Sequence, residues 1–174
     1  MRRRRSFLAL GLLALPGFAL SGTAAAEPPT DACKLIKRAE VKEILGKPVV
    51  KVKRLEDESK HAARCTWETR YYQTKKLKKL KAPFTLQLDT QSTESAADAL
   101  DELRSSAADI DSTVDRVDGL GDEAYTHFSD LFVVSGDTVF QVGLHNFDES
   151  KDPSLDADKI ARDAAEKALS RLEG

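Results

Sequence analysis

The 174-residue chain carries 27 basic and 29 acidic residues, and four of the basic ones stand together at Arg2, Arg3, Arg4 and Arg5. From Glu27 onward the balance is 23 basic against 29 acidic, net −6, which argues against nucleic acid as a partner. The 148 residues that follow position 26 (174 − 26) are enough for one buried core, so residues 27–174 are expected to form a single domain.

The chain opens on that arginine cluster and runs directly into an apolar stretch from Phe7 to Leu20. A charged start followed by about 14 apolar residues has the layout of a signal peptide, and falls short of the roughly 20 residues a membrane-spanning helix needs. Ala24 and Ala26 supply the small side chains of a cleavage site, so residues 1–26 are expected to be removed before Glu27. Arg4, Arg5, Ser6, Phe7 and Leu8 resemble the twin-arginine export signal, while the Leu-rich core also suits the general secretory route. The expected location is therefore periplasmic or extracellular, with no membrane span.

After a loose arm bearing Pro28 and Pro29, Val41, Ile44 and Leu45 follow helical spacing until Gly46 and Pro48 stop the turn. Val50 and Val52 alternate with Lys51 and Lys53 as on a half-buried strand, and the polar stretch from Glu56 to Arg64 reads as a loop. Cys65, Trp67, Thr69 and Tyr71 share one face of the next strand, and Phe84, Leu86 and Leu88 one face of its antiparallel neighbour. Between them, Lys75, Lys76, Lys78, Lys79 and Lys81 place five cations in seven residues. Such a run suits anionic lipid headgroups or acidic wall polymers; a solvated hairpin tip is the plainer reading and is preferred here.

Ser92 is expected to cap a second helix in which Ala96, Leu100, Leu103 and Ala107 form an apolar stripe. Four strands follow, from Val114 to Val117, Ala124 to Phe128, Leu131 to Val134 and Thr138 to Phe147, with Ser135, Gly136 and Asp137 as a hairpin turn. Gly119, Leu120, Gly121, Asp122 and Glu123 read as a tight turn entering a strand. A last helix is expected with Asp152 as cap, Pro153 at its first position, and Ala161, Ala164, Ala168, Leu169 and Leu172 facing the core. The pattern predicts an α+β fold: a mainly antiparallel sheet of six to seven strands with three helices packed on it.

Cys33 and Cys65 are the only two cysteines, and in an oxidising compartment they are expected to pair. No G-x-S-x-G elbow, phosphate loop, dinucleotide fingerprint or H-E-x-x-H helix occurs in the sequence, so catalysis is not expected and no cofactor is implied. His127 and His145, read as lying on adjacent strands near Asp122, Glu123 and Asp148, form a candidate metal site; a solvated sheet face is the alternative.

Cys33, then Ala39, Glu40, Val41, Leu45 and Gly46, then Cys65 with Trp67, then Gly119, Leu120, Gly121, Asp122 and Ala124 form a spaced pattern over most of the domain. This pattern resembles small exported bacterial domains of unknown function, of the actinobacterial lipoprotein type. It is loosely similar to the extracellular sensor domain of a mycobacterial serine/threonine kinase. The chain departs from it in having no cysteine near the cleavage site to carry a lipid, and in placing Lys37 where a helix-capping Thr is common. The resemblance implies an α+β sheet with a disulfide and a noncatalytic binding or sensing role, toward a small ligand or an envelope protein; a metal-assisted enzyme and a structural envelope component are the other readings.

Overall fold

The computed structural model describes residues 31–57, 62–92, 101–105 and 113–173. The expected leader, the cap-proximal part of the second helix and its Ala107 lie outside the described residues. Helices α1 (Ala32–Leu35) and α2 (Arg38–Leu45) precede strands β1 (Val49–Asp57) and β2 (Ala62–Thr69). Helix α3 (Lys75–Leu80) and strand β3 (Thr85–Ser92) come next, and residues 101–105 are helical, here α4. Strands β4 (Asp115–Arg116), β5 (Glu123–His127), β6 (Asp130–Ser135) and β7 (Thr138–His145) lead to the closing helix α5 (Ala157–Leu172).

All seven strands join one antiparallel sheet in the order β1-β2-β3-β7-β6-β5-β4. The fold is thus α+β as expected, with five helices among the described residues rather than three. Two causes account for the difference. A short extra helix, α1, precedes the expected first helix and is set apart from it by the extended backbone of Ile36, and the basic run folds as a helix of its own.

Period-two alternation fixes the core face. On β2 the residues Ala63, Cys65, Trp67 and Thr69 are buried. They stand opposite Thr90, Leu88 and Leu86 of β3, which in turn face Phe140, Val142 and Leu144 of β7. Val133 and Leu131 of β6 continue the same layer. Helices α1, α2 and α5 contribute Ala32, Leu35, Val41, Leu45, Ile160, Ala164, Ala165 and Ala168 to that single cluster. The alanines of α5 let its backbone approach the sheet closely. Burying each large side chain such as Trp67, Phe84 or Phe140 contributes about 1.5–3 kcal/mol before cavity effects.

Several local expectations are corrected. The stretch Glu56–Arg64 is strand at both ends, because β1 runs on to Asp57 and β2 begins at Ala62, while residues 58–61 of the expected loop lie outside the described residues. Ser92 pairs with Thr138 as the last residue of β3, and the helix start it was expected to cap lies outside the described residues. Tyr71 lies beyond β2, although its carbonyl still accepts from the Phe84 N–H at 3.0 Å. The last helix starts at Ala157, not Pro153. Its cap is Asp156, whose carboxylate accepts from the Lys159 N–H at 2.9 Å, while Asp152 is drawn off by the Tyr71 hydroxyl at 2.6 Å. Lys37 does stand at the N-cap of α2, where its side chain caps nothing; the Glu40 carboxylate instead accepts from the Lys37 N–H at 2.8 Å.

The Cys33–Cys65 disulfide ties α1 to β2. Among the described residues no helix is long and apolar enough to cross a membrane.

Candidate functional site

The face of the sheet opposite α1, α2 and α5 is polar, and the pairing register orders it. Thr66, Gln87 and Gly143 stand side by side on β2, β3 and β7. One strand further, Asp130 opens β6 directly opposite His127 at the end of β5. Gly143 has no side chain to fill its place in that row. A Cβ there would lie 2.9 Å from Asp130 Oδ1 and 3.5 Å from His145 Nε2, so both groups lean over the bare glycine. Asp130 and His145 therefore meet over Gly143, with His127 on the far side of Asp130.

Further hydrogen bonds hold this centre. Gln141 Nε2 donates to Asp130 Oδ2 at 2.6 Å. Burial pushes the Asp130 carboxyl above its ordinary value of 3.8; the Gln141 bond and the two imidazoles pull it back in part, and nearby Asp89 adds to the rise. Asp89 is itself gripped by Arg64, with Nε at 2.5 Å and Nη2 at 3.1 Å from its two oxygens, and by Gln87 Nε2 at 2.8 Å. That paired carboxylate raises the Arg64 guanidinium above its usual range. Lys53 and Glu68 form an ion pair on the same face.

Helix α4 occupies the other end of this face. Its Leu103 packs with Val114 and Val139 on Tyr125 and Val134, and Arg104 Nη2 donates to the Tyr125 hydroxyl at 2.9 Å. That hydroxyl donates to Glu123 Oε2 at 2.8 Å. The Asp130 centre sits at the opposite end of the same strands, beyond this packing.

The structure rearranges the histidine site expected from sequence. His127 and His145 are not on adjacent strands, because β6 lies between β5 and β7. Asp122 and Glu123 stand at the far end of β5, and Asp122 is used in a turn, accepting from the Gly136 N–H at 2.8 Å. The carboxylate between the histidines is Asp130, which the sequence pattern did not single out. Among the described residues no three His, Cys, Asp or Glu side chains gather so as to hold a metal ion.

Neither a family model, a curated protein nor a solved structure matches this chain. The Cys33 and Cys65 sulfurs are joined to each other, and Trp67, two residues along from Cys65, is buried in the same core cluster. Lys75, Lys76, Lys78, Lys79 and Lys81 are all exposed on or at the end of α3, away from the Asp130 centre in sequence and on a different connection. A recess of about 490 Å³ between α2 and the start of β1 is lined by Arg38, Ala39, Lys42, Pro48 and Val49. Its Arg38 is engaged with the Val49 carbonyl, Nε at 3.1 Å, which leaves that recess with few groups to offer a ligand.

Chemically, the Asp130 centre offers a half-buried carboxylate, two imidazoles and two amide side chains at one place. These can accept and donate several hydrogen bonds to a polar ligand laid on the sheet.

Proposed function

We propose that the chain is an exported, noncatalytic binding or sensing module that takes a small polar ligand on the open face of its sheet. The observation that carries this reading is the meeting of Asp130 and His145 over Gly143: a half-buried carboxylate is kept on a sheet face whose neighbours leave it a bare floor. A polar group retained at a desolvation cost, with convergent donors and acceptors around it, is the usual mark of a binding position. The leader-like first 26 residues and the bridged thiols support export. The lack of a nucleophile or phosphate motif in the sequence supports binding without chemistry.

The test is a titration of the isotope-labelled protein with a library of small polar compounds, followed by amide and imidazole shifts. Binders should shift His127, Asp130, Gln141, Gly143 and His145 together, and Asp130→Asn should weaken the best of them at least tenfold. Binders that cluster elsewhere and ignore Asp130→Asn would refute the assignment. Export is checked separately: the chain recovered outside the cytoplasm should begin at Glu27 by mass spectrometry, and an intact Met1 there would overturn it.

A further inference from the structure

The antiparallel register brings three connections to one end of the sheet. Thr69 ends β2 and Thr85 opens β3 there, Thr85 pairs with His145 at the end of β7, and the β5–β6 turn lies beside it, where His127 pairs with Asp130. Helix α3, linking β2 to β3, and Phe128, in the β5–β6 turn, therefore project from the same end.

Both present apolar side chains to water. Phe128 is 74% exposed and Leu80 64%, the two most exposed large apolar residues among those described. Phe128 also sits at φ +55, a left-handed position that Gly or Asn would occupy at less cost. Its ring stacks on His127 with centroids 4.3 Å apart. On α3, Leu77 lies three residues before Leu80, on the same side of the helix, and is partly buried. The helix is closed at both ends: the Thr74 hydroxyl accepts from the Leu77 N–H at 3.1 Å, and the Lys81 N–H reaches back to Lys78 at the other.

Around Leu80 stand five lysines, and none of the five has an ion pair among the described residues. The loop after β7, joined to the start of this connection by the Gln73 Nε2 bond to the Asp148 carbonyl, carries Asp148, Glu149, Asp152 and Asp156, of which Asp152 is paired with Lys47 at 3.7 Å and none is ion-paired with the five lysines. Uncompensated lysines flanking protruding apolar side chains form the pattern of a surface that settles into the headgroup layer of an anionic bilayer. An acidic polymer would satisfy the lysines but leave Leu80 and Phe128 in water. Two separated apolar tips are also too little to form the buried centre of a protein interface, which needs some 800 Å² from each partner.

We infer that this end of the sheet docks on anionic lipid, with Leu80 and Phe128 entering the headgroup layer and Lys75, Lys76, Lys78, Lys79 and Lys81 lying against the phosphates. The inference is independent of the ligand proposed for the open face.

The full chain, disulfide intact, should co-sediment with vesicles of equal parts phosphatidylglycerol and phosphatidylcholine and not with phosphatidylcholine alone. Binding should fall at least tenfold when salt is raised from about 0.1 to about 0.5 M. Changing the five lysines to glutamine should abolish it. Leu80→Ser with Phe128→Ser should lower it at least tenfold while retention of soluble polyphosphate, which sees only the lysines, stays as in the parent. Both apolar positions are exposed, so the double variant should keep its melting temperature. Absence of binding to anionic vesicles would overturn the inference. So would vesicle binding that the Leu80 and Phe128 changes leave untouched, which would make the lysines a site for soluble polyanions instead.

Discussion

At the scale of single residues, two glycines show how the same absence of a side chain serves different ends. Gly121 sits at φ +54, and a Cβ there would lie 2.3 Å from the Val134 carbonyl oxygen, a backbone atom held in β6. Gly121→Ala should therefore cost about 2–4 kcal/mol by chemical denaturation, and a loss under about 0.5 kcal/mol would show that the turn can open. Gly143 has ordinary strand backbone, and the atom in the way is the end of the Asp130 side chain, with His145 Nε2 at ordinary contact distance. Gly143→Ala should change stability by less than about 1 kcal/mol yet displace the Asp130 carboxylate, visible as shifted Asp130 resonances. Asp130 gives a pH signature of its own. Because burial raises its carboxyl value in the folded state, the fold binds that proton more tightly than the unfolded chain does. Stability is thus reduced as pH rises from the ordinary 3.8 through the raised value, then levels off. Asp130→Asn removes this dependence, so the variant's stability relative to the parent should grow across that window and stay constant above it. A variant that loses ground as pH rises would contradict the burial argument.

At the scale of elements, Arg171 ties the last helix to the first two. Its Nη1 donates to the Leu35 carbonyl at 2.5 Å and its Nη2 to Glu40 Oε1 at 2.6 Å, joining α5 to the end of α1 and the first turn of α2. The Arg171 bond holds the Glu40 carboxyl below its ordinary 4.5. The stabilisation from Glu40 is accordingly present above that ordinary value and lost as pH falls through the lowered one. Arg171→Ala should cost about 1–3 kcal/mol at neutral pH, and Arg171→Lys should recover little, since an ammonium cannot serve both acceptors in the same fork. Full rescue by lysine in urea melts would show that charge alone matters. How far such elements are legible depends on what sets them. β2, β3 and the buried face of α5 were readable because alternation or helical spacing of Cys65, Trp67, Leu86, Leu88, Ala164 and Ala168 encodes which side is buried. Helix α3 is hard to read from sequence, although Lys and Leu are good helix formers and Thr74 is a fitting cap, because its stripe of only two leucines carries no periodicity. The start of α5 is ambiguous in sequence because Asp152 and Asp156 are equal candidates for a cap locally, and Asp152 is taken by Tyr71, some eighty positions away in sequence.

At the scale of the whole molecule, the sheet order is what hid the candidate site. Nothing local to Asp130 distinguishes it from the other acids; it becomes central because β7 lies between β3 and β6, bringing Gly143 beside it and His145 over it. The same long-range order makes the disulfide a brace between distant parts. Cys33 and Cys65 close a loop with a separation of 32 residues, from α1 to the second strand of the sheet, and that loop includes α2 and all of β1. In the chain-entropy view such a closure restricts the unfolded chain far more than it holds the folded one, and contributes about 3–4 kcal/mol. In the fold, α1 is also held without it: Ala32, Leu35 and Ile36 are buried, Asp31 pairs with Arg54 at 3.1 Å, and Arg171 grips the Leu35 carbonyl. Cys33→Ser with Cys65→Ser should therefore lower the unfolding free energy by about 2–4 kcal/mol while leaving the sheet and its Asp130 centre intact in the molecules that remain folded. Urea melts with and without reductant measure the first part. Resonances of His127, Asp130 and His145 in the double variant measure the second, and their loss under conditions where the sheet amides persist would show that the bridge shapes the native site rather than the unfolded chain.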